Sequence, residues 1–396
     1  MSTDLAAAAH AAARVGVDRG AAAALGLSHR LHAHPELGFE EERASGWLAD
    51  ELAGAGFAVE PGVAALPTAL RATTGSGPLV LALCAEYDAL PGVGHACGHN
   101  IIAAAALAAA LALAPLADDL GITLQVLGTP AEEGGGGKIL MLERGAFDGV
   151  HAAMMVHPSP KEHADPPTLA VAHLDVTYLG REAHASAYPE DGLNAADALT
   201  VAQVAIGLLR QHIRPDDRIH GIVTHGGEAP NIVPGRTEAA FYARSRTLAR
   251  LAELEPRLRA CFDAGALATG CTVSVAQGSP PYSEAAYDAE LARAYAGFTA
   301  ELGRSTPVAV TAEDLRAAGS TDMANVSLAL PSIQPFIAID SGGVGNHHPD
   351  FAAACINPSA DAAVLDGGLA MARTAITAAT APALRERLLA SAYSAD

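Results

Sequence analysis

Three short apolar runs, at 79–84, 122–127 and 152–156, each break off into polar residues of a chemically useful kind. The first leads into Ala85-Glu86-Tyr87-Asp88. The second leads into Gly128-Thr129-Pro130-Ala131-Glu132-Glu133, and the third into His157-Pro158. Uncharged runs of that length suit strands buried on both faces, and the stretches between them read as helices. The order predicts an α/β fold with a mainly parallel sheet flanked by helices. In such sheets the ligand site lies beyond the carboxyl ends of the strands, which is where these polar clusters fall.

The segment 45–56 reads as helix, with Trp47, Leu48, Leu52 and Ala55 on one face and Gly54 and Gly56 at its end. Character changes near His173. A strand at 174–179 is followed by a polar loop to Gly192, a helix at 194–211, and strands at 219–225 and 236–246. A helix at 249–269 and a strand at 271–277 complete the segment. This β-α-β-β-α-β order predicts an inserted α+β domain of ferredoxin-like type, with Pro280-Pro281 at its exit. The main domain is then expected to comprise 1–172 and 284–396, and the insert 173–283. Within the main domain, 332–339 reads as a further strand.

Composition narrows the function. Half of the 396 residues are hydrophobic, which is enough for a large core. The formal net charge of −20 argues against a nucleic-acid binder and against acidic membranes as partners, because both need basic surface. Five scattered cysteines do not make a disulfide framework and suit a reducing, cytoplasmic setting. The start Met1-Ser2-Thr3-Asp4 has an acid and no basic run, so a secretory signal is not expected. The apolar stretch 101–117 is mostly alanine and reads as a buried helix rather than a membrane span.

Four clusters carry candidate chemistry. In His95-Ala96-Cys97-Gly98-His99, a thiolate and an imidazole two residues apart can reach one metal ion; a buried Cys beside a surface His is the plainer alternative. In Glu132-Glu133 one carboxylate can bind metal while the other serves as general base, and Gly134 to Gly137 let backbone approach a ligand. A solvated acidic loop is the alternative there. His157 at a strand end and the pair His347-His348 can each be structural when taken singly. Together, clusters of ligand-type residues at expected strand ends point to one metal site. Two other readings stay open at this stage: a hydrolase with Cys97 as nucleophile, and a non-catalytic metal-binding protein.

At these residues the sequence resembles a known family. The stretch from Leu31 to Glu41, Asp88-Ala89-Leu90-Pro91, His95 to Asn100 and Pro130 to Gly137 are similar, in order, to the motifs of the dinuclear metallopeptidases that include aminoacylases and carboxypeptidase G. The branch most alike is the amidohydrolases: hippurate, auxin-conjugate and aminobenzoyl-glutamate hydrolases and β-alanyl-lysine dipeptidase. The resemblance implies a zinc-exopeptidase-like catalytic domain with the insert as lid and dimerisation domain. It also implies two divalent metal ions per subunit, zinc first, with manganese or cobalt as alternatives, and a small amide substrate bearing a free carboxylate.

It assigns Cys97, His99, Glu133, His157 and His347 as metal ligands, His347 being chosen over His348 by the His-x-Pro pattern. Glu132 becomes the general base and Asp88 the carboxylate that tunes the site. Gly180-Arg181-Glu182-Ala183-His184-Ala185 matches a lid motif whose His184 would serve the partner subunit's active site. Asn231-Ile232-Val233-Pro234 and Arg244 match the lid's carboxylate-holding motif, and Gly319 and Ser320 an active-site loop. Glu86 departs from the metal-binding His of many relatives outside the branch. Asn100 replaces an Asp common in hippurate-type members, which points toward the dipeptidase and aminobenzoyl-glutamate side.

Overall fold

The structure is a computed structural model and describes residues 3–395; Met1 and Ser2 of the leading tetrapeptide lie outside it. In chain order the strands are β1 (Ala58–Pro61), β2 (Leu70–Thr74), β3 (Leu79–Ala85), β4 (Ile122–Gly128), β5 (Ala152–Met154), β6 (His157–Ser159), β7 (Ala170–Leu179), β8 (Arg218–His225), β9 (Arg236–Ser245), β10 (Thr272–Tyr282), β11 (Ser332–Ile333) and β12 (Phe336–Ala338). The helices are α1 (Thr3–Ala33), α2 (Glu42–Gly54), α3 (His99–Leu113), α4 (Ala117–Leu120), α5 (Gly137–Glu143), α6 (Ala195–Leu209), α7 (Leu248–Thr269), α8 (Ala289–Glu301), α9 (Ala312–Ala317), α10 (Met323–Ala329), α11 (Pro349–Ala354), α12 (Pro358–Thr380) and α13 (Pro382–Leu389). Two compact units result, one running to Pro167 and resuming at Ala285, the other spanning Thr168–Glu284.

The first unit is built on a six-stranded sheet of order β1-β2-β4-β3-β5-β11. Pairs β3–β4, β3–β5 and β5–β11 are parallel, while β1–β2 and β2–β4 are antiparallel. The parallel strands end on one edge, so Glu86, Thr129 and the residues after Met154 emerge side by side. Helix α3 packs on α1 and α12 with all but one of its residues buried, although the stretch from His99 to Leu120 is apolar and long enough to cross a membrane. Its alanines let backbones come close: a Cβ at Gly368 of α12 would stand 2.7 Å from Ala108 Cβ.

The strand read at 332–339 is in fact two. Pro335 separates β11, which pairs with β5, from β12, which pairs in parallel with β6 in a separate two-stranded sheet. The run at 152–156 likewise stops at Met154 and restarts at His157. Pro335 has no N–H to give the ladder, while Met155 and His157 still donate their N–H groups to the carbonyls of Ile333 and Pro335, so the two segments stay side by side. The result is that His157 opens β6, opposite Phe336.

The second unit has the order β7-α6-β8-β9-α7-β10 along the chain and a fully antiparallel sheet of order β10-β7-β9-β8. Alternate residues Thr237, Ala239, Phe241, Ala243 and Ser245 of β9 are buried, the period expected of a half-covered strand. Helices α6 and α7 supply the cover through Leu199, Ile206, Leu254, Leu258 and Phe262. Asn194 and Thr247 cap the two helices by accepting their first free backbone N–H groups. The unit begins before His173, because Ala170 to Ala172 already pair with β9.

Candidate metal centre

Five segments of the first unit converge beyond the sheet edge. Gly98, at φ +80, ends the turn after Cys97 and starts α3, so His99 becomes that helix's first residue. A Cβ there would lie 2.4 Å from Pro158 Cγ, so a side chain would both strain the turn and push the His157 segment away. Donor atoms of Cys97, His99 and His157 lie within 4.8 Å of one another, as do those of Cys97, Glu133 and His347. The two sets share Cys97, and together they comprise all five ligands that the resemblance assigned.

His99 and His157 each have the outer nitrogen engaged. His99 Nδ1 donates to the Asp88 backbone oxygen at 2.9 Å and to Asp88 Oδ1 at 3.0 Å. His157 Nδ1 donates to the Pro158 carbonyl at 2.8 Å. A carbonyl can only accept, so Nδ1 carries a proton in both rings and Nε2 is the nitrogen left to face a metal. Burial lowers His157 to a pKa of about 4, which keeps it neutral at pH 7. Asp88 Oδ2 also accepts the Glu133 N–H at 2.9 Å, so one carboxylate orients two candidate ligands.

Two residues next to the site hold left-handed backbone that only glycine adopts readily: Ala131 at φ +54 and His347 at φ +70. Ala131 directly precedes Glu132, and its N–H donates to buried Glu41 Oε1 at 2.8 Å. Glu41 Oε2 accepts Thr68 Oγ1 at 2.7 Å. His347 is held by its N–H on the Ala96 carbonyl at 2.8 Å, and its Nε2 stands 3.3 Å from Glu133 Oε1. His348 faces elsewhere: its Nδ1 accepts the Asp350 N–H and caps α11.

The glycine run after Glu133 has a different role from the one expected. A Cβ at Gly137 would fall 1.8 Å from the Pro130 carbonyl oxygen. At that position it is the loop's own backbone, rather than a ligand, that comes close.

Burial, reinforced by the Glu86 and Glu133 carboxylates, holds Glu132 well above the usual carboxylate range. Glu133 is held below it: burial opposes ionisation, but the His347 hydrogen bond and the charge at His99 prevail. Burial and Glu133 push the Cys97 thiol well up. That is the reverse of what a thiolate nucleophile needs, although Sγ stands 3.5 Å from His157 Nε2.

The donor set suits divalent metal ions, and an independent observation agrees. His99 Nε2 and Glu86 Oε2 are buried 3.4 Å apart, and neither makes a hydrogen bond. Such orphaned groups cost about 1–3 kcal/mol each unless something engages them.

Sequence reasoning gave no role to Lys138 and did not single out Asp322 within its loop. Lys138 is wholly buried and pairs with Glu86 Oε1 at 2.5 Å and Asp322 Oδ1 at 2.7 Å. A lysine entering the otherwise apolar run Ile139-Leu140-Met141-Leu142 was the available signal. Gly319 and Ser320 lie on the same loop, Gly319 exposed and Ser320 half-buried, and Asp322 two residues on is the side chain that reaches the charge cluster.

In the second unit the segment around His184 pairs with that around Ile232, through Ala185 N–H to the Asn231 carbonyl and Val233 N–H to the Ala183 carbonyl. His184 is exposed. Its Nδ1 accepts the backbone N–H groups of Ser186 and Ala187 at 3.3 and 3.2 Å, which places the proton of the neutral ring on Nε2. The exposed Asn231 is held near His184 by this pairing of the two segments. Arg244, half-buried, donates through Nε to His220 Nε2 at 3.3 Å and lies over the Tyr242 ring.

An α/β unit with a Cys/His/Glu cluster at its strand ends and a buried carboxylate beside it defines a metal-dependent hydrolase. The chain belongs to Peptidase family M20/M25/M40, which it matches over residues 82–376. It is 39% identical to the Xaa-Arg dipeptidase of Mus musculus over 91% of this chain and 86% of that protein. It is 34% identical to a p-aminobenzoyl-glutamate hydrolase chain of Escherichia coli, over 62% and 56% respectively. Among solved structures, a dinuclear metal-binding M20-family peptidase of Bacillus subtilis superimposes with TM-score 0.66 at 20% identity, covering 91% of this chain and 98% of that one. Members of this family hydrolyse amide bonds, so the chain is an amide-bond hydrolase. The cysteine-nucleophile reading and the non-catalytic reading are set aside.

Proposed function

We propose that this enzyme cleaves dipeptides or N-acyl amino acids with a free carboxylate, using two divalent ions held by Cys97, His99, Glu133, His157 and His347. The observation that carries this is the pair of ligand sets sharing Cys97, with Glu132 beside them. Divalent ions bound there would supply a Lewis acid for the scissile carbonyl and lower the pKa of a water toward neutrality. Glu132 takes the proton of the attacking water and returns it to the departing amine; its raised affinity for protons suits both steps. Asp88 fixes His99 and the Glu133 backbone. His184, with its proton on Nε2, is the donor for the developing oxyanion. Arg244 and Asn231 hold the substrate carboxylate, the guanidinium through two parallel hydrogen bonds. The loop of Gly319 and Ser320 lines the substrate's path.

The dipeptidase relative supports dipeptides with a basic C-terminal residue as the first substrates to try. Zinc is the favoured ion, with manganese and cobalt next. A homodimer through the second unit is supported by edge strand β8, whose open backbone groups stand beside exposed Ile222 and Val223. Five free, buried cysteines support a cytoplasmic setting.

The test is a hydrolysis screen of Xaa-Arg and other dipeptides, N-acyl amino acids and aminobenzoyl-glutamate, on chelated protein and after each metal is restored. Turnover is expected only with metal. Full activity of protein shown to contain no divalent ion overturns the proposal.

A further inference from the structure

Glu86, Lys138 and Asp322 form a wholly buried charge cluster that the scheme above leaves without a task. Lys138 binds Glu86 Oε1 and Asp322 Oδ1 through its ammonium, and its backbone N–H holds Asp322 Oδ2 at 2.8 Å. Buried ion pairs are often no more stabilising than apolar residues of similar volume, so stability alone does not account for this one. The free oxygen of Glu86 offers a reason. Oε2 makes no hydrogen bond and lies 3.4 Å from His99 Nε2. His99 has its Nδ1 on Asp88, so Nε2 is the nitrogen turned toward Glu86. Oε2 carries buried negative charge with no hydrogen bond of its own, and a divalent ion between it and Nε2 would engage both atoms. The place is compact: oxygens of Glu86 and Glu132 and a nitrogen of His99 fall within 4.8 Å of one another.

We propose that Glu86 is a further ligand of the ion that His99 holds, and that Lys138 is the positioning residue that turns Glu86 Oε2 toward it. The inference rests on the metal-centre reading of the preceding subsection. Anchoring Oε1 makes the two oxygens of Glu86 inequivalent and commits one of them to the centre. Asp322 extends the anchor to the start of α10, so the loop carrying Gly319 and Ser320 is tied to the same lysine. Glu132, 3.7 Å from His99 Nε2, keeps its role as base.

The test compares full-length wild type with Glu86→Gln, both stripped of metal. Each is titrated with zinc against a competing chelator, and with cobalt followed by its visible absorption. Glutamine still offers Lys138 an acceptor, so the fold is expected to survive. One binding step should weaken ~10- to 100-fold or more, and the cobalt band should change as the ion loses an oxygen donor. If the glutamine variant does not fold, Glu86→Asp is measured in the same way; its shorter side chain keeps the charge but withdraws the oxygen, and the same loss is expected. Folded variants that bind both ions with wild-type affinity and an unchanged cobalt spectrum overturn the proposal. Wild type that binds no divalent ion would instead overturn the metal-centre reading on which it stands.

Discussion

In the first unit, Cys97, His99 and His157 are buried, and both histidines have their outer nitrogen held by an oxygen of Asp88 or Pro158. In the second unit, His184 and Asn231 are exposed, and His184 is held only by its own turn. The contrast fits what each set is proposed to bind. Bare dications need several donors fixed in place before they arrive, and that rigidity comes from packing. A substrate must enter and leave, so the groups that meet it last can stay in water until it comes. Loss of a residue in the first set should therefore disturb metal and fold together, and loss in the second only turnover.

The largest effect should come from Glu132→Gln. It removes the base but no assigned ligand, so kcat should fall by ~10²–10⁴-fold while metal content measured by mass spectrometry stays at the wild-type level. His184→Ala should follow, with a loss of ~10²–10³-fold and an unchanged melting temperature, because the side chain is exposed. If His184 serves the partner subunit, mixing this variant with Glu132→Gln should restore part of the activity. A large drop in melting temperature for His184→Ala would erase the contrast between the units.

Glu41 sharpens the comparison through pH. Burial, with Asp88 nearby, lifts its pKa from the usual 4.5 to about 7. The folded state then binds the proton more tightly than the unfolded one. Its contribution is fully present below pH 4.5 and is lost as pH rises through 7. The shift corresponds to roughly 3 kcal/mol. Metal-free Glu41→Gln should therefore show a flatter dependence of unfolding free energy on pH between 4.5 and 7 than metal-free wild type; parallel curves would count against it. The smallest effect separates the adjacent histidines. His348→Ala should cost about 1 kcal/mol of stability through the lost cap and leave metal binding intact, whereas His347→Ala should weaken metal binding with little change in stability. The opposite pattern would exchange their roles.

Much of this was legible along the chain because it depends on local order. The runs 79–84 and 122–127 become β3 and β4, and the β-α-β-β-α-β segment becomes the second unit's antiparallel sheet. The one-residue spacing of Cys97 and His99, and the acids following β4, already pointed to metal chemistry. Other features depend on packing across long separations. Lys138 meets Asp322 across 184 residues, and Glu41 meets Ala131 across 90. No local pattern records either partner.

The sequence by itself determined the kinds of donor this protein could offer and the strand ends that would present them, because strand and helix periods are set over a few residues. Only the tertiary structure decided which nitrogen of His99 faces the cluster, that Lys138 and Asp322 meet beside it, and that Glu86 has an oxygen to spare. Those outcomes rest on contacts of 2.5–3.4 Å between groups that stand 11 to 184 residues apart, and such distances leave no trace in the order of residues.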